Sequence, residues 1–219
     1  MELLDTSSRS LLLAAVLSLP LCASAANPPA VSCPLEKVAE IRDNDVCALQ
    51  GGDYLSNRRS GKIHGALDLN AAVGDKVLAT KAGIVVVAAE KWADMGTAVI
   101  IDHGDGGYTV YGHLDEAKVK KGAKVVAGQQ VGTVGFTGNS DCLQKNKLPP
   151  HLHFGYLNAG KAGLARRDYP IAEIERWGAA WEEAFYGDVL AVGVQHPQMA
   201  IEGLTCWAKP QKKPPPKKS

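Results

Sequence analysis

The middle of the chain alternates between short hydrophobic runs and glycine-rich turns. From Gly61 to Asn158, runs rich in Val, Ile, Thr and Tyr are separated by glycine and aspartate, which is typical of a domain built from short strands. The candidate strands are Lys76–Thr80, Gly83–Glu90, Ala98–Asp102, Tyr108–Leu114, Gln130–Phe136 and His151–Leu157. Residues 102–107 read DHGDGG, which favours a hairpin connection. We therefore expect a mainly β fold, a compact antiparallel sheet of the barrel or sandwich type.

Helical periodicity appears only outside this region. Between Pro170 and Tyr186, large apolar residues recur at three- and four-residue steps, which predicts a C-terminal helix with one apolar face. The aromatic side chains of that face are expected to pack in the core rather than to bind a ligand. Leu35–Ile41 could form a second, shorter helix.

The N-terminus has the pattern of a cleaved export signal. Leu11 to Leu21 is almost continuously apolar, and Ala23-Ser24-Ala25 follows with the small residues that signal peptidase prefers. The run is shorter than the roughly 20 residues that a membrane span needs, and no later stretch is apolar enough to be a transmembrane segment. We expect cleavage after Ala25 and an exported protein, periplasmic or secreted.

Four cysteines remain after such a cleavage: Cys33, Cys47, Cys142 and Cys206. An even number of cysteines in an exported chain predicts two disulfide bonds, although four cysteines allow three pairings. Our hypothesis is Cys33–Cys47, which would staple a local segment, with Cys142–Cys206. The alternative is free buried thiols, which an oxidising compartment disfavours.

The net charge of +1 conceals an asymmetry between the folded body and the last residues. Segment 1–25 holds one basic and two acidic residues, and 209–219 holds five lysines, so the body between them has 18 basic and 21 acidic residues. A body of net charge −3 argues against nucleic acid binding. The tail from Lys209 to Ser219, almost entirely Lys and Pro, is expected to be extended and disordered. It is either a solubilising end or a tether to anionic envelope polymers.

Three short histidine motifs carry the candidate chemistry. They are His64-Gly-Ala-Leu-Asp68, Tyr111-Gly-His113 and His151-Leu-His153. Two histidines and one carboxylate are a known ligand set for catalytic zinc, which keeps one position open for water.

Strand geometry constrains how these motifs could meet. Alternation along a strand places His151 and His153 on one face and turns Leu152 toward the core. The same rule places Tyr111 and His113 on a common face. Residues four apart in a straight strand are about 13 Å apart, so His64 and Asp68 can share an ion only if the chain bends between them.

The order of these motifs and of the text between them resembles the lysostaphin/LytM-type zinc metalloendopeptidases, a family of peptidoglycan hydrolases. The similarity runs from about Arg58 to Leu157 and includes VIIDHG at 99–104, GQQVG at 128–132 and TGNS at 137–140. The resemblance implies a LytM-type catalytic domain with one Zn²⁺ held by His64, Asp68 and His153. It implies that His113 and His151 are catalytic, and we favour His151 as the general base because its neighbour His153 is on the metal. His103 and His196 lie outside the motif set and are expected at the surface.

The sequence patterns and the resemblance together divide the chain into five parts. They are a signal peptide at 1–25, a lead-in at 26–57, the zinc peptidase domain at 58–158, an extension with a helix at 159–208, and the tail at 209–219. The sequence departs from the family pattern at Arg58, Ala66 and Gly155, where the family often has tyrosine, glycine and glutamate. Ten residues separate Ser140 from His151 where about three are usual, and this insertion is expected to border the substrate groove.

The resemblance therefore predicts an exported zinc endopeptidase that cuts stem peptides or cross-bridges of peptidoglycan. One alternative is a catalytically silent, wall-binding regulator of other hydrolases on the same fold, although all five site positions are retained here. Another is a broader secreted bacteriolytic protease.

Overall fold

The computed structural model describes residues 29–43, 45–47, 51–57, 64–158 and 194–209. The described strands are β1 Ala39–Glu40, β2 Ala66–Asn70, β3 Lys76–Leu78, β4 Gly83–Ala89, β5 Thr97–Asp102, β6 Gly107–Ala117, β7 Lys124–Val125, β8 Gln130–Val134, β9 His151–Asn158, β10 Val194–Gln195 and β11 Trp207–Ala208. The α-helix α1 spans Asp141–Lys145, and short 3₁₀ helices span Ala93–Met95, Gly138–Ser140 and Pro197–Ile201. The predicted signal peptide at 1–25, the predicted helix at 170–186 and tail residues 210–219 lie outside the described residues. Within the described ranges, no helix has the length and apolar character needed to cross a bilayer.

Strands β2 to β10 form one antiparallel sheet. Its main path runs β10-β9-β6-β5-β4-β7, while β2 pairs with β9 and β8 pairs with both β6 and β3. The prediction of a mainly β, antiparallel fold is confirmed. Among the described strands, the sheet is not closed into a barrel, because its path ends at β7 and β10 and these two strands do not pair.

Alternate residues of the central strands pack on opposite faces of the sheet. Along β5, Val99 and Ile101 belong to one hydrophobic cluster and Ile100 belongs to another. Along β9, Leu152 and Phe154 belong to the first cluster and are fully buried. The sequence alternates with a period of two in these strands, and the structure places alternate residues in different hydrophobic clusters, on opposite faces of the sheet.

The segment that leads into the domain is extended rather than helical, so the predicted helix at Leu35–Ile41 is wrong. Strand β1 pairs in parallel with β11, from the far end of the chain, while Leu35 bridges Val77 and Ile41 bridges Leu69. Leu35, Ala39 and Ile41 bury their side chains in the main core. Pairing with sheet edges satisfies this segment's backbone, and that tertiary gain outweighs a weak local helix preference.

The two disulfide bonds join Cys33 to Cys206 and Cys47 to Cys142, so the hypothesis of Cys33–Cys47 with Cys142–Cys206 is wrong. The amide of Ala39 donates to the carbonyl of Cys206, because β1 lies beside β11. This pairing brings the two ends of the described chain together. Cys47 instead reaches α1, which lies in the insertion before β9. Cross-links therefore follow spatial neighbours that are 173 and 95 residues apart in sequence.

Peptide mapping without reduction is expected to recover Cys33–Cys206 and Cys47–Cys142 peptides. Alanine replacement of both Cys33 and Cys206 is expected to lower the free energy of unfolding by about 2–5 kcal/mol, because the bond constrains a long loop of the unfolded chain. Denaturant titration measures this loss. A Cys33–Cys47 peptide in the map would contradict the structure.

Candidate metal and catalytic centre

Asp68 and His153 are direct neighbours across the β2–β9 strand pair. The side chains of directly opposed residues lie on the same face, and here His153 Nδ1 is 3.1 Å from Asp68 Oδ1. His151 is on the same face two residues earlier, and its Nε2 is 3.4 Å from the same oxygen. The alternation predicted for β9 therefore brings both of its histidines to one carboxylate oxygen.

His64 joins this group because the chain bends before the strand begins. His64 and Gly65 precede β2, and His64 is held by a backbone hydrogen bond from its amide to the carbonyl of Ser56. The ring Nδ1 lies 3.0 Å from the carbonyl oxygen of Asp53, which can only accept, so Nδ1 carries the proton. Nε2 is therefore the atom with the lone pair, and it is 3.1 Å from Asp68 Oδ1.

The separations between these three side chains fit one metal ion. His64 Nε2 is 3.3 Å from His153 Nδ1, and ligand atoms of His64, Asp68 and His153 all lie within 4.8 Å of one another. Ligands about 2.1 Å from a tetrahedral zinc would be separated by about 3.4 Å. Two imidazoles and one carboxylate are also a donor set that zinc accepts. The residues present therefore fit the ion that the sequence predicts.

His113 approaches the group from β6 through an irregularity in the strand. Between Tyr111 and Leu114, β6 holds one more residue than the facing part of β5, which is the mark of a β-bulge. His113 has a φ of 60°, in the left-handed region. Tyr111 stays on the core side, with its ring centroid 5.5 Å from that of Phe154. The prediction that Tyr111 and His113 share a face is therefore wrong, because the left-handed residue reverses the alternation.

The rings of His113 and His151 lie edge to face, with their centroids 4.9 Å apart. His113 Nδ1 is 2.9 Å from the carbonyl oxygen of Thr137, so this nitrogen donates and Nε2 carries the lone pair. His151 Nδ1 is buried and has no hydrogen-bond partner among the described residues. Two imidazoles thus stand beside the candidate metal ligands with nitrogen atoms available for chemistry.

Burial keeps both of these histidines neutral. The pKa of His113 lies well below its ordinary value, chiefly because burial disfavours the charged ring and also because His151 and His153 are close. Burial likewise lowers the pKa of His151, although the nearby carboxylate of Asp68 partly opposes it. Neutral imidazoles can accept a proton at pH 7. All five residues of the group are at most 4% exposed.

Thr137 holds His113 in place and was not foreseen as a functional residue, although it lies in the TGNS segment. Its hydroxyl donates to the carbonyl of Leu114 at 2.7 Å and accepts from the amide of Thr97 at 2.8 Å. The next residue, Gly138, has a φ of 69°, and a Cβ at that position would lie 2.2 Å from the carbonyl oxygen of Asp94. The turn can therefore approach β5 and β6 closely enough to fix the carbonyl that accepts the hydrogen bond from His113 Nδ1.

The Thr137→Val variant is expected to lower the free energy of unfolding by about 1–3 kcal/mol. Valine has nearly the same shape but removes the hydroxyl from both the Leu114 carbonyl and the Thr97 amide. Thr137→Ser, which keeps the hydroxyl, is the matched control. Chemical denaturation of the pair measures the effect, and equal stability of the two variants would contradict this account.

The remaining histidines lie elsewhere. His103 is partly buried and bonds the carbonyl of Ala82 and the hydroxyl of Thr109. His196 is exposed and caps the 3₁₀ helix at 197–201 by accepting from the amide of Gln198.

The structure also shows where the departures from the family pattern lie. Ala66 pairs directly with Gly155, so the methyl group of Ala66 faces a residue without a side chain. Arg58 lies outside the described residues, and the insertion before β9 contains α1 with Leu143 buried.

A buried arginine beside the group carries no signal in the sequence. Arg42 Nη1 is 3.7 Å from Asp68 Oδ2, and its Nε and Nη2 contact the two carboxylate oxygens of Asp45 at 2.8 and 2.6 Å. Nothing in the spacing of residues 26–57 singles out this position. The lead-in nevertheless contributes a side chain to the surroundings of the candidate metal ligands.

Residues 62–163 match the family model described as peptidase family M23. The peptidoglycan DD-endopeptidase ShyA of Vibrio cholerae is 34% identical over 110 residues, which are 50% of this chain and 24% of ShyA. The murein hydrolase activator NlpD of Escherichia coli is 32% identical over 96 residues, 44% of this chain and 23% of NlpD. The catalytic domain of the antimicrobial peptidase lysostaphin from Staphylococcus simulans is 32% identical, with 48% of this chain and 74% of that domain covered and a TM-score of 0.41. The chain thus covers less than a quarter of the length of either curated relative.

Proposed function

The chain belongs to peptidase family M23 through residues 62–163, and we propose that it is an exported zinc endopeptidase that hydrolyses peptide bonds in peptidoglycan stem peptides or cross-bridges. The observation that carries this proposal is the convergence of His64, Asp68 and His153, with two further neutral histidines beside them. The similarity to ShyA, which is named as a peptidoglycan endopeptidase, supports the substrate class. The two disulfide bonds support export to an oxidising compartment.

In this proposal, His64, Asp68 and His153 hold one Zn²⁺. When bound, the ion supplies Lewis acidity, which polarises the scissile carbonyl and lowers the pKa of water toward ~7. Asp68 Oδ1 lies between the imidazoles of His64 and His153 and gives the ligand set its negative charge.

The two remaining histidines have different roles in the proposed hydrolysis. The hydrogen bond from His113 Nδ1 to Thr137 leaves Nε2 as an acceptor, which favours His113 as the group that takes the proton of the attacking water. His151 donates a hydrogen bond from its ring N–H to the oxyanion that develops on the substrate. When the C–N bond breaks, the protonated His113 returns its proton to the leaving amine nitrogen. The sequence-based preference was for His151 as the base. The hydrogen bond from His113 Nδ1 to Thr137 is the reason to favour His113 instead.

Digestion of purified sacculi tests the proposal. The mature protein is expected to release wall peptides that mass spectrometry identifies as products of peptide-bond cleavage, and a chelator should stop the release until zinc is restored. His196→Ala, altered outside the site, should behave as the parent does. Running the same assay on sacculi of different cross-bridge chemistry and on denatured casein separates a wall-specific enzyme from a broader bacteriolytic protease.

The near-complete burial of all five site side chains favours one second candidate, a wall-binding regulator of other hydrolases. NlpD, which is named as a murein hydrolase activator, is similar to this chain over 96 residues. If the protein is a regulator, the parent and His113→Ala should accelerate sacculus digestion by an added hydrolase equally, and neither should release peptide-bond products of its own.

We also propose that the Lys/Pro tail at 209–219 tethers the protein to anionic envelope polymers.

A further inference from the structure

The lead-in segment is built against the backbone of the candidate metal ligand Asp68. The amide of Arg42 donates to the carbonyl of Asp68 at 2.8 Å, and the amide of Asp68 donates to the carbonyl of Gly52 at 2.9 Å. The amide of Gly52 in turn donates to the carbonyl of Arg42 at 2.7 Å, which closes the ring of hydrogen bonds. Both backbone polar groups of Asp68 are thus bonded to residues that precede the family match.

The approach of this segment requires glycine at position 52. A Cβ on Gly52 would lie 2.6 Å from the Cβ of Asp68 and 2.9 Å from its carbonyl oxygen. No side chain fits into that space. Residues 42 and 52 therefore bracket Asp68 on the side of β2 that faces away from β9.

The side chain of Arg42 completes the arrangement. Its guanidinium, 3.7 Å from Asp68 Oδ2, contacts the carboxylate through one oxygen while Oδ1 faces His64, His151 and His153. Asp45 binds the guanidinium through both of its oxygens and so neutralises it. Arg42 can therefore orient the Asp68 carboxylate without adding net positive charge beside a cation.

The position of Asp45, which binds the Arg42 guanidinium, is itself fixed by Cys47. The amide of Cys47 donates to Asp45 Oδ1 at 2.7 Å, and Cys47 forms the disulfide bond to Cys142 in α1. Arg42 and Gly52 are thus both bonded to Asp68, and Cys47, which lies between them in sequence, is covalently bonded to the insertion before β9.

We propose that Arg42 is a positioning residue for Asp68, and that Arg42, Asp45 and Gly52 belong to the surroundings of the metal centre although they lie outside the family match. The inference rests on the proposed function, since it assigns Asp68 as a zinc ligand. Partners of a ligating carboxylate orient it, and their loss typically lowers metal affinity or activity by 10–100-fold. Arg42 holds Oδ2 and leaves Oδ1 directed at the histidines.

Zinc affinity, measured by competition with a chromophoric chelator on the mature protein with both disulfide bonds intact, tests the proposal. Arg42→Gln is expected to weaken zinc binding by roughly 10–100-fold. Arg42→Lys keeps the positive charge but not the planar guanidinium, and it should recover part of the lost zinc affinity. The zinc affinity of Asp45→Asn should lie between those of Arg42→Gln and Arg42→Lys. The matched control is Lys76→Gln, which removes a lysine from an exposed ion pair with Glu36 near the lead-in.

The outcomes separate this inference from the proposed function. Zinc affinity of Arg42→Gln equal to that of the parent would overturn the positioning role and leave the zinc enzyme in place. A parent that binds no zinc would overturn both. Circular dichroism checks folding of each variant, and should Arg42→Gln fail to fold, Arg42→Lys and Asp45→Asn decide: parental affinity in both would overturn the inference, and weaker binding in both supports it.

Discussion

Alanine replacement of any one of His64, Asp68 and His153 is expected to abolish stoichiometric zinc binding and, with it, peptide hydrolysis. A site with three protein ligands has no redundancy, so the loss in zinc affinity should exceed the roughly 10–100-fold that removal of an outer partner costs. Asp68 should be the most sensitive position, because its Oδ1 lies within 3.1 Å of both ligand histidines. Elemental analysis of the purified variants after dialysis measures the zinc content.

His196→Ala serves as the control, since it removes an imidazole that is exposed and far from the group in sequence. It should retain one zinc per chain. Added zinc should restore the chelated parent but none of the three ligand variants. If all three variants retained one equivalent of zinc per chain, the assignment of these residues as zinc ligands would be wrong.

Alanine replacement of His113 or His151 is expected to leave the zinc in place and to reduce turnover by about 10²–10⁴-fold, the usual contribution of a positioned acid–base group. Neither ring is needed for the three-ligand set, yet both lie beside it, with centroids 4.9 Å apart. The rate of release of peptides from sacculi, together with zinc content, separates this loss from loss of metal.

The same pair of variants distinguishes the two candidate functions. An enzyme loses its own peptide products in His113→Ala, whereas a regulator keeps its effect on an added hydrolase. Parental turnover in either histidine variant would show that this residue is not catalytic. Thr137→Ser should keep most of the turnover, because its hydroxyl still fixes the turn whose carbonyl accepts the hydrogen bond from His113 Nδ1.

Strand β9 illustrates how far local pattern determines this fold. Leu152 and Phe154 belong to the main core, and His151 and His153 occupy the opposite face, as the period of two predicts. A regular strand fixes side-chain direction by covalent geometry alone. Such inferences therefore need no knowledge of the neighbouring strands.

His113 illustrates where the same rule fails. One additional residue in β6 and a φ of 60° turn its side chain to the face opposite Tyr111. The bulge depends on how β6 is paired with β5, and the carbonyl of Thr137 that binds the ring comes from a turn 24 residues later. Neither condition can be read from the sequence around Tyr111.

The sequence by itself determined six of the described strands, β3 to β6, β8 and β9, and the alternation along β9, because these follow from local periodicity and residue type. The candidate ligands and catalytic histidines followed instead from the resemblance of the ordered motifs to a known family. Only the tertiary structure decided the disulfide pairing, the extended form of Leu35–Ile41, the turned side chain of His113 and the contact of Arg42 with Asp68. Each of these depends on which distant segments share a sheet edge. Edge pairing is selected by burial summed over the whole core and by the need to bond every buried backbone group, and no short window of sequence contains that sum.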